Sequence, residues 1–249
     1  MKYNNLLLDI DGTLIGTEKS PVGHDSRLKK FLDFYMQEEG RVGLVTGRSE
    51  HYTSAIYEFL GLNGVRIVEI GAGLIMPDNK RIELTPLQNV DKIKEFFSKL
   101  GLFNIFKEEP KSFMFTLMPI DFPYHNINKL REAYDAIKES FEEKFPYAKI
   151  TVDDHTIDIF NPKSDKGEAI KFYAQKDNAN LENMVVVGDS RGDYPVFKEV
   201  GKSNGQVCYV GLDDNYAKEL KNEFSNYVRT KNKRSSGVVE VLKYLLKIK

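Results

Sequence analysis

Near the start of the chain, the apolar run Leu6-Leu7-Leu8 leads straight into two aspartates one residue apart, Asp9 and Asp11, and then into Gly12. Three consecutive leucines suit a strand buried on both faces of a parallel sheet, and in open α/β sheets ligands bind beyond the carboxyl ends of such strands. The segment therefore points to the middle of an α/β sheet and puts paired carboxylates where its chemistry is done. Asp and Gly also favour turns, so taken alone the segment fits a simple strand-to-turn transition equally well.

A second apolar run ends the same way. Met184-Val185-Val186-Val187 is followed by Gly188-Asp189-Ser190-Arg191-Gly192-Asp193, so four aspartates finish two strands. Like charges about 4 Å apart repel by about 4 kcal/mol at an effective dielectric near 20. Gathering them requires a cation. An all-oxygen ligand set calls for a hard ion, and Mg²⁺ is commonly held by one or two carboxylates together with waters and a substrate phosphate. One cysteine and four scattered histidines do not make a zinc site.

Two further segments fit a phosphate beside that ion. Gly43-Leu44-Val45-Thr46-Gly47-Arg48-Ser49 is a strand ending in a hydroxyl and a glycine ahead of a helix start, where backbone N–H groups can hold an anion. Ser164-Asp165-Lys166-Gly167 opens a later helix, so Lys166 sits at a positive helix end and can neutralise a phosphate oxygen. Lys163 lies before that helix and lacks the following glycine, which favours Lys166.

The periodicity predicts helices and strands in alternation. Leu28, Phe31, Leu32, Tyr35 and Met36 follow i, i+3, i+4, i+7, i+8 spacing, with Gly40 as the stop. The next helix, from about Ser49, is expected to bury Ala55, Ile56, Phe59 and Leu60, and Arg66-Ile67-Val68 forms a third strand. After Lys166 the alternation resumes through Val185, Val196, Cys208 and a closing helix from Val238. The fold class is α/β, a doubly wound parallel sheet, with a second, smaller α+β domain. Residues 82–162 break the alternation: helices marked by Val90, Ile93, Phe96, Phe97 and by Ile127, Leu130, Ala133, Ile137, Phe141 alternate with strands at 112–118 and 148–159. The expected domains are therefore 1–81 with 163–249, and 82–162 inserted.

Together and in this order, DIDGTL, Thr46, Lys166 and GDSRGD at 188–193 resemble the four motifs of the haloacid dehalogenase (HAD) superfamily of phosphatases. The long gap between Thr46 and Lys166 resembles that of its type IIB cap subclass, which includes Cof-like and sucrose- and trehalose-phosphatase-like proteins. The resemblance implies a Rossmann-like core with an α+β cap. It implies Asp9 as the nucleophile forming an aspartyl phosphate and Asp11 as general acid and base. Thr46, Gly47 and Lys166 would hold the phosphoryl oxygens. Mg²⁺ would be held by Asp9, the backbone carbonyl of Asp11 and Asp189, with Asp193 as a further ligand or as a support behind the ligands. Two departures stand out: Gly192 replaces the Asn of the usual Gly-Asp-x-x-Asn-Asp, and Ile70 replaces the Asn of a Glu-Asn-Gly-Ala stretch.

The resemblance also implies a small phosphate ester as substrate, a sugar phosphate or related metabolite, with specificity carried by the cap. Lys111, Phe113, Asp153 and His155 are the candidate contacts; their plainer roles are strand core for Phe113, solvent for Lys111 and Asp153, and a turn for His155. A phosphomutase of the same superfamily and a silenced phosphometabolite-binding scaffold are the alternatives. Retention of all four aspartates argues against the scaffold. The string Gly188-Asp189-Ser190-Arg191-Gly192 also matches the nucleophile elbow of α/β-hydrolases, but there the histidine follows the serine, and His24, His51, His125 and His155 all precede Ser190.

With 41% hydrophobic residues and a net charge of -1 over 249 residues, the composition is that of a folded globular protein rather than a disordered or polybasic one. No nucleic-acid partner is implied. No apolar span reaches the about 20 residues of a membrane helix and no secretory leader is evident, so no membrane partner and a cytoplasmic location are expected. A single cysteine, Cys208, reads as a buried thiol. Oligomeric state stays open.

Overall fold

The computed structural model describes residues 2–15, 25–121, 126–153 and 155–248. The chain divides into two compact units, Met1–Ile82 with Asp165–Lys249, and Glu83–Ser164.

The first unit is built on one sheet. Its strands are β1 (Asn5–Leu8), β2 (Arg41–Val45), β3 (Arg66–Val68), β4 (Gly73–Ile75), β5 (Arg81–Glu83), and, after the second unit, three more whose ranges follow. Between them run the helices α1 (Leu28–Gln37) and α2 (Glu50–Leu60). The second unit contributes α3 (Val90–Lys99), β6 (Phe106–Glu109), β7 (Phe115–Pro119), α4 (Ile127–Lys144), β8 (Lys149–Val152) and β9 (Ile157–Phe160). The chain then returns through α5 (Lys166–Lys176), β10 (Met184–Gly188), α6 (Tyr194–Lys202), β11 (Gln206–Tyr209), α7 (Asp214–Glu223), β12 (Tyr227–Arg229) and α8 (Arg234–Leu245).

The large sheet has the order β12-β11-β10-β1-β2-β3-β4-β5. Its strands are parallel from β12 to β3, and β4 turns back antiparallel to β3. Successive strands move outward from β1 in one direction early in the chain and in the other direction late, so the order reverses beside β1. A crevice at the carboxyl ends of β1 and its neighbours is the outcome in such a topology. Leu6, Leu8, Val185 and Val187 pack with Leu32, Tyr35, Val238 and Leu242 in the core on one side of this sheet.

Four details depart from the expectations set by sequence. The sheet is mixed rather than wholly parallel, because the chain reverses at Gly71 (φ +84) and lays Ile75 back against Arg66. In α2 the buried residues are Thr53, Ile56, Tyr57 and Leu60, while Ala55 is exposed and Phe59 is 64% exposed. Ser49 caps the helix through its hydroxyl to the Tyr52 N–H, which sets the phase so that the polar Thr53, rather than Phe59, completes the inward stripe. Helix α1 ends at Gln37 and the left-handed turn falls on Glu39 (φ 65), not on Gly40. Gly40 is needed for closeness instead: a Cβ there would lie 2.3 Å from the Tyr35 ring. Finally, the predicted strand at 112–118 begins only at Phe115.

In the second unit the antiparallel sheet runs β6-β7-β9-β8. Period-two alternation sends Phe115, Leu117, Ile157 and Ile159 into an apolar core with Ile93, Phe97, Leu130, Ile137 and Phe141 of α3 and α4. Phe97 stacks between Phe115 and Phe141, with ring centroids 5.8 and 5.7 Å away. The other face of this sheet is polar at its centre, where Thr116 Oγ1 donates to Asp158 Oδ1 at 2.6 Å.

Candidate active site

Strand register brings the functional residues to one rim. Leu8 of β1 lies beside both Val187 of β10 and Leu44 of β2, so the three chains leave the sheet at the same level and deliver Asp9, Asp189 and Thr46 together. The Asp9 N–H donates to the Val187 carbonyl at 3.0 Å, extending the pairing by one residue. Gly12 is where the first loop meets the later one. Its φ is +77, and a Cβ there would lie 2.1 Å from Asp189 Oδ2, so no side chain fits between the two aspartate loops.

The 188–193 loop is held by its own last residue. Asp193 Oδ2 accepts the N–H groups of Asp189 and Ser190 at 3.1 and 3.2 Å. Its other oxygen, Oδ1, accepts from Lys166 Nζ at 2.9 Å, and the same ammonium donates to Asp9 Oδ1 at 3.1 Å. Lys166 takes this position because Asp165 caps α5, its Oδ1 accepting from the Gly167 and Glu168 N–H groups. Thr13 Oγ1 reaches Asp189 Oδ1 at 3.4 Å. Asp9, Asp193 and Lys166 are all buried, at 6%, 3% and 8% exposure.

One carboxylate oxygen each from Asp9, Asp189 and Asp193 lies within 4.8 Å of the others. Three ionised carboxylates and one ammonium leave a formal charge of -3 + 1 = -2, which a divalent cation balances. All-oxygen donors of this kind suit a hard ion such as Mg²⁺, so the residues present fit the metal that the family pattern implies. Without a cation the strain shows in the ionisation. Burial, then the Asp193 carboxylate, pushes Asp9 well above the usual carboxylate range against the pull of Lys166. Burial works against the Lys166 ammonium, but Asp193 and Asp9 outweigh it and raise its pKa. Burial and Asp193 push Asp189 up to about 7.

A carboxyl whose pKa is higher folded than unfolded holds more protons in the folded state, so stability falls as pH rises between the two values. For Asp189 that window runs from the ordinary 3.8 to about 7. The metal-free protein is therefore expected to lose thermal stability from pH 5 to pH 8 unless a divalent cation is added, and Asp189→Asn to flatten that loss. Melting scans across this range without and with Mg²⁺ check it; an unchanged slope in Asp189→Asn contradicts it.

Asp11 does not join the three-carboxylate group. Its two oxygens accept from Arg48 Nε and one terminal nitrogen at 2.8 and 2.6 Å, and the guanidinium also lies over the Tyr52 ring, 5.0 Å from its centroid. Thr46 is buried, and its hydroxyl oxygen accepts the Arg48 N–H at 3.1 Å, leaving its O–H as a donor. The helix start after Gly47 offers less to an anion than its sequence promises. The Glu50 N–H donates to buried Glu69 and the Tyr52 N–H to Ser49, so the amides at the beginning of α2 are largely engaged.

The four candidates in the second unit stand apart from one another in character. Phe113 is buried, and its carbonyl accepts the Leu87 N–H. The Lys111 side chain is not in solvent as its residue type suggests: it is 4% exposed and lies 3.5 Å from Glu109. Asp153 is exposed and accepts the His155 and Thr156 N–H groups at 2.6 and 2.7 Å, a local turn-former, and His155 is exposed beside it.

Arg48, Thr13 and Glu69 also belong to the site, by their contacts with Asp11, Asp189 and the Glu50 N–H. Arg48 carried a signal, since it directly follows Thr46-Gly47; Glu69 carried none, because its contact with the Glu50 N–H depends on a turn 19 residues away.

The sequence profile of the haloacid dehalogenase-like hydrolases matches residues 6–118 and 102–242 of this chain. The chain belongs to that family. The HAD-like hydrolase is 25% identical over 241 residues to a phosphoglycolate phosphatase of Staphylothermus marinus, covering 96% of this chain and 95% of the relative. Its fold is shared by a haloacid dehalogenase-like hydrolase from Bacteroides thetaiotaomicron (TM-score 0.74, 14% identity, 98% and 99% of the two chains). It is shared too by the sucrose-phosphatase from Synechocystis sp. PCC6803, solved with sucrose and phosphate (TM-score 0.64, 16% identity, 98% of each). This HAD-like hydrolase is a phosphatase, with the Rossmann-like core and cap of its structural neighbours. Among its described residues no helix is long and apolar enough to cross a membrane.

Proposed function

We propose that this phosphatase is a Mg²⁺-dependent phosphomonoesterase acting on a small phosphorylated metabolite, a sugar phosphate, through an aspartyl phosphate on Asp9. The observation that carries this reading is the group of buried Asp9, Asp193 and Lys166 with half-buried Asp189, whose net -2 suits one divalent cation. Asp9, Asp189 and Asp193 would hold the ion, with the Asp11 carbonyl by family resemblance. When bound, Mg²⁺ supplies positive charge that screens the phosphate dianion from the carboxylates.

The chain's own residues account for the rest. An Asp9 oxygen attacks phosphorus and the bond to the ester oxygen breaks, while Asp11 gives its proton to the departing alkoxide. Water then attacks the aspartyl phosphate as Asp11 takes its proton, releasing inorganic phosphate and restoring Asp9. Both Asp11 oxygens accept from Arg48, and each keeps a second lone pair for the proton that Asp11 exchanges. Lys166 and the Thr46 hydroxyl orient the phosphoryl oxygens, the kind of fixed positioning and charge neutralisation on which phosphoryl transfer depends. The full-length likeness to a phosphoglycolate phosphatase supports a second reading, in which the leaving alcohol carries a carboxylate.

A phosphate-release screen over sugar phosphates, phosphoglycolate and simple alkyl phosphates tests this. Turnover is expected with Mg²⁺, and a fall of at least about 10²-fold on chelation, as suits the loss of several kcal/mol of charge stabilisation. No release from any ester with Mg²⁺ present overturns the reading, and phosphate returned to a second hydroxyl identifies a mutase instead.

A further inference from the structure

Three successive residues on the first unit, Glu69, Ile70 and Gly71, have left-handed backbone, with φ of 53, 61 and 84. Glycine takes this conformation without cost, but for a β-branched residue it is a true outlier. Strain of this kind persists where the surroundings over-determine it, and such positions cluster at functional sites. Here the surroundings are the two phosphate-holding elements. The Ile70 N–H donates to the Thr46 carbonyl at 3.2 Å and the Glu69 N–H to the Arg48 carbonyl at 3.1 Å. On the other side Gly71 lies so close to the start of α5 that a Cβ would come within 2.4 Å of the Asp165 carbonyl and 3.0 Å of the Lys166 nitrogen. The backbone turn is thus required by the site.

The isoleucine side chain is not required by the turn. Asn or Gly would adopt it at lower cost, and Ile70 is only half-buried, so core packing does not repay the strain. What its side chain meets is the loop of Thr46: a Cβ placed on half-exposed Gly47 would stand 3.6 Å from Ile70 Cγ1. An apolar surface therefore flanks the loop that is to hold the phosphoryl group.

We infer that Ile70 is a specificity-determining residue of this site: the apolar side chain of this half-buried residue, beside Gly47, accepts a neutral, C–H-bearing part of the alcohol next to the ester and disfavours a carboxylate there. Desolvating a charge against an apolar wall is costly unless it is paired. The inference rests on the phosphatase reading and selects within it, towards a neutral leaving group and away from a phosphoglycolate-like one.

Two phosphonates of matched length, propylphosphonate and 2-carboxyethylphosphonate, test it by isothermal titration in Mg²⁺ buffer, because they bind without turnover. The wild type should prefer propylphosphonate by about tenfold or more, the scale on which an apolar pocket discriminates by one group. In Ile70→Asn and Ile70→Gly, both of which suit the left-handed backbone and should melt no lower than wild type, the ratio should fall to within about threefold, the loss of that same discrimination. Equal binding of the two by the wild type, a ratio unchanged in both variants, or no binding of either compound overturns the inference. Discrimination without any phosphate release from esters sinks the phosphatase reading alone, and release without discrimination sinks this inference alone.

Discussion

Replacing Asp9 by Asn should abolish turnover while leaving ligand binding measurable, with kcat lowered by ~10⁴-fold or more, as expected when a nucleophile that acts as part of a unit is removed. The change alters one oxygen of a side chain that is 8% exposed. It takes away the attacking lone pair and one negative charge. The Lys166 ammonium, which donates to Asp9 Oδ1 at 3.1 Å, keeps an acceptor in the amide oxygen, so folding should survive. Binding should survive for the same reason: the variant has less charge to repel a phosphate. Single-turnover phosphate release together with phosphate binding by calorimetry separates the two effects. A rate near wild type would remove Asp9 from the nucleophile's place.

Lys166→Met should be costly in a different way. The lysine is buried between Asp9 and Asp193, and methionine fills its volume without its charge. Removing one partner of a buried ionic group leaves the others uncompensated, at about 3–5 kcal/mol, and for a chain of this size each 1 kcal/mol lowers Tm by about 2–4 °C. A drop of roughly 6–20 °C is therefore expected without metal, from those two figures combined. Mg²⁺ should recover part of the stability, because it offsets the same carboxylates, but little of the turnover, because the phosphoryl oxygens lose a donor that the metal does not replace. Melting scans with and without Mg²⁺, paired with kcat, check both halves. An unchanged Tm together with a rate within tenfold would show that the lysine matters to neither.

Much of this site can be read from the chain itself because its parts are strand ends. Leu6-Leu7-Leu8 and Val185-Val186-Val187 are buried strands by composition alone, and each is followed immediately by aspartates, so sheet topology delivers Asp9 and Asp189 without any long-range guess. Lys166 was legible for a related reason, since Asp165 marks a helix start and fixes where the next side chain emerges. What sequence could not supply depends on contacts between distant turns. Arg48 is plainly written beside Thr46, but its pairing with Asp11 joins loops 37 residues apart. The engagement of the α2 amides follows from Glu69, whose left-handed φ of 53 no local pattern announces. The exposure of Phe59 and burial of Thr53 turn on the phase set by the Ser49 cap. The Lys111 side chain is buried beside Glu109 although lysine is among the residues least often found inside.

The central claim is that three aspartates from two strand ends share one divalent ion. Titration of the metal-free protein with Mn²⁺, followed by its electron paramagnetic resonance signal, tests it directly. One site per chain should be seen, with affinity reduced by at least about tenfold in Asp189→Asn, the size of effect expected when a carboxylate ligand loses its charge. Binding of equal strength in that variant, or no saturable site in the wild type, would contradict the account.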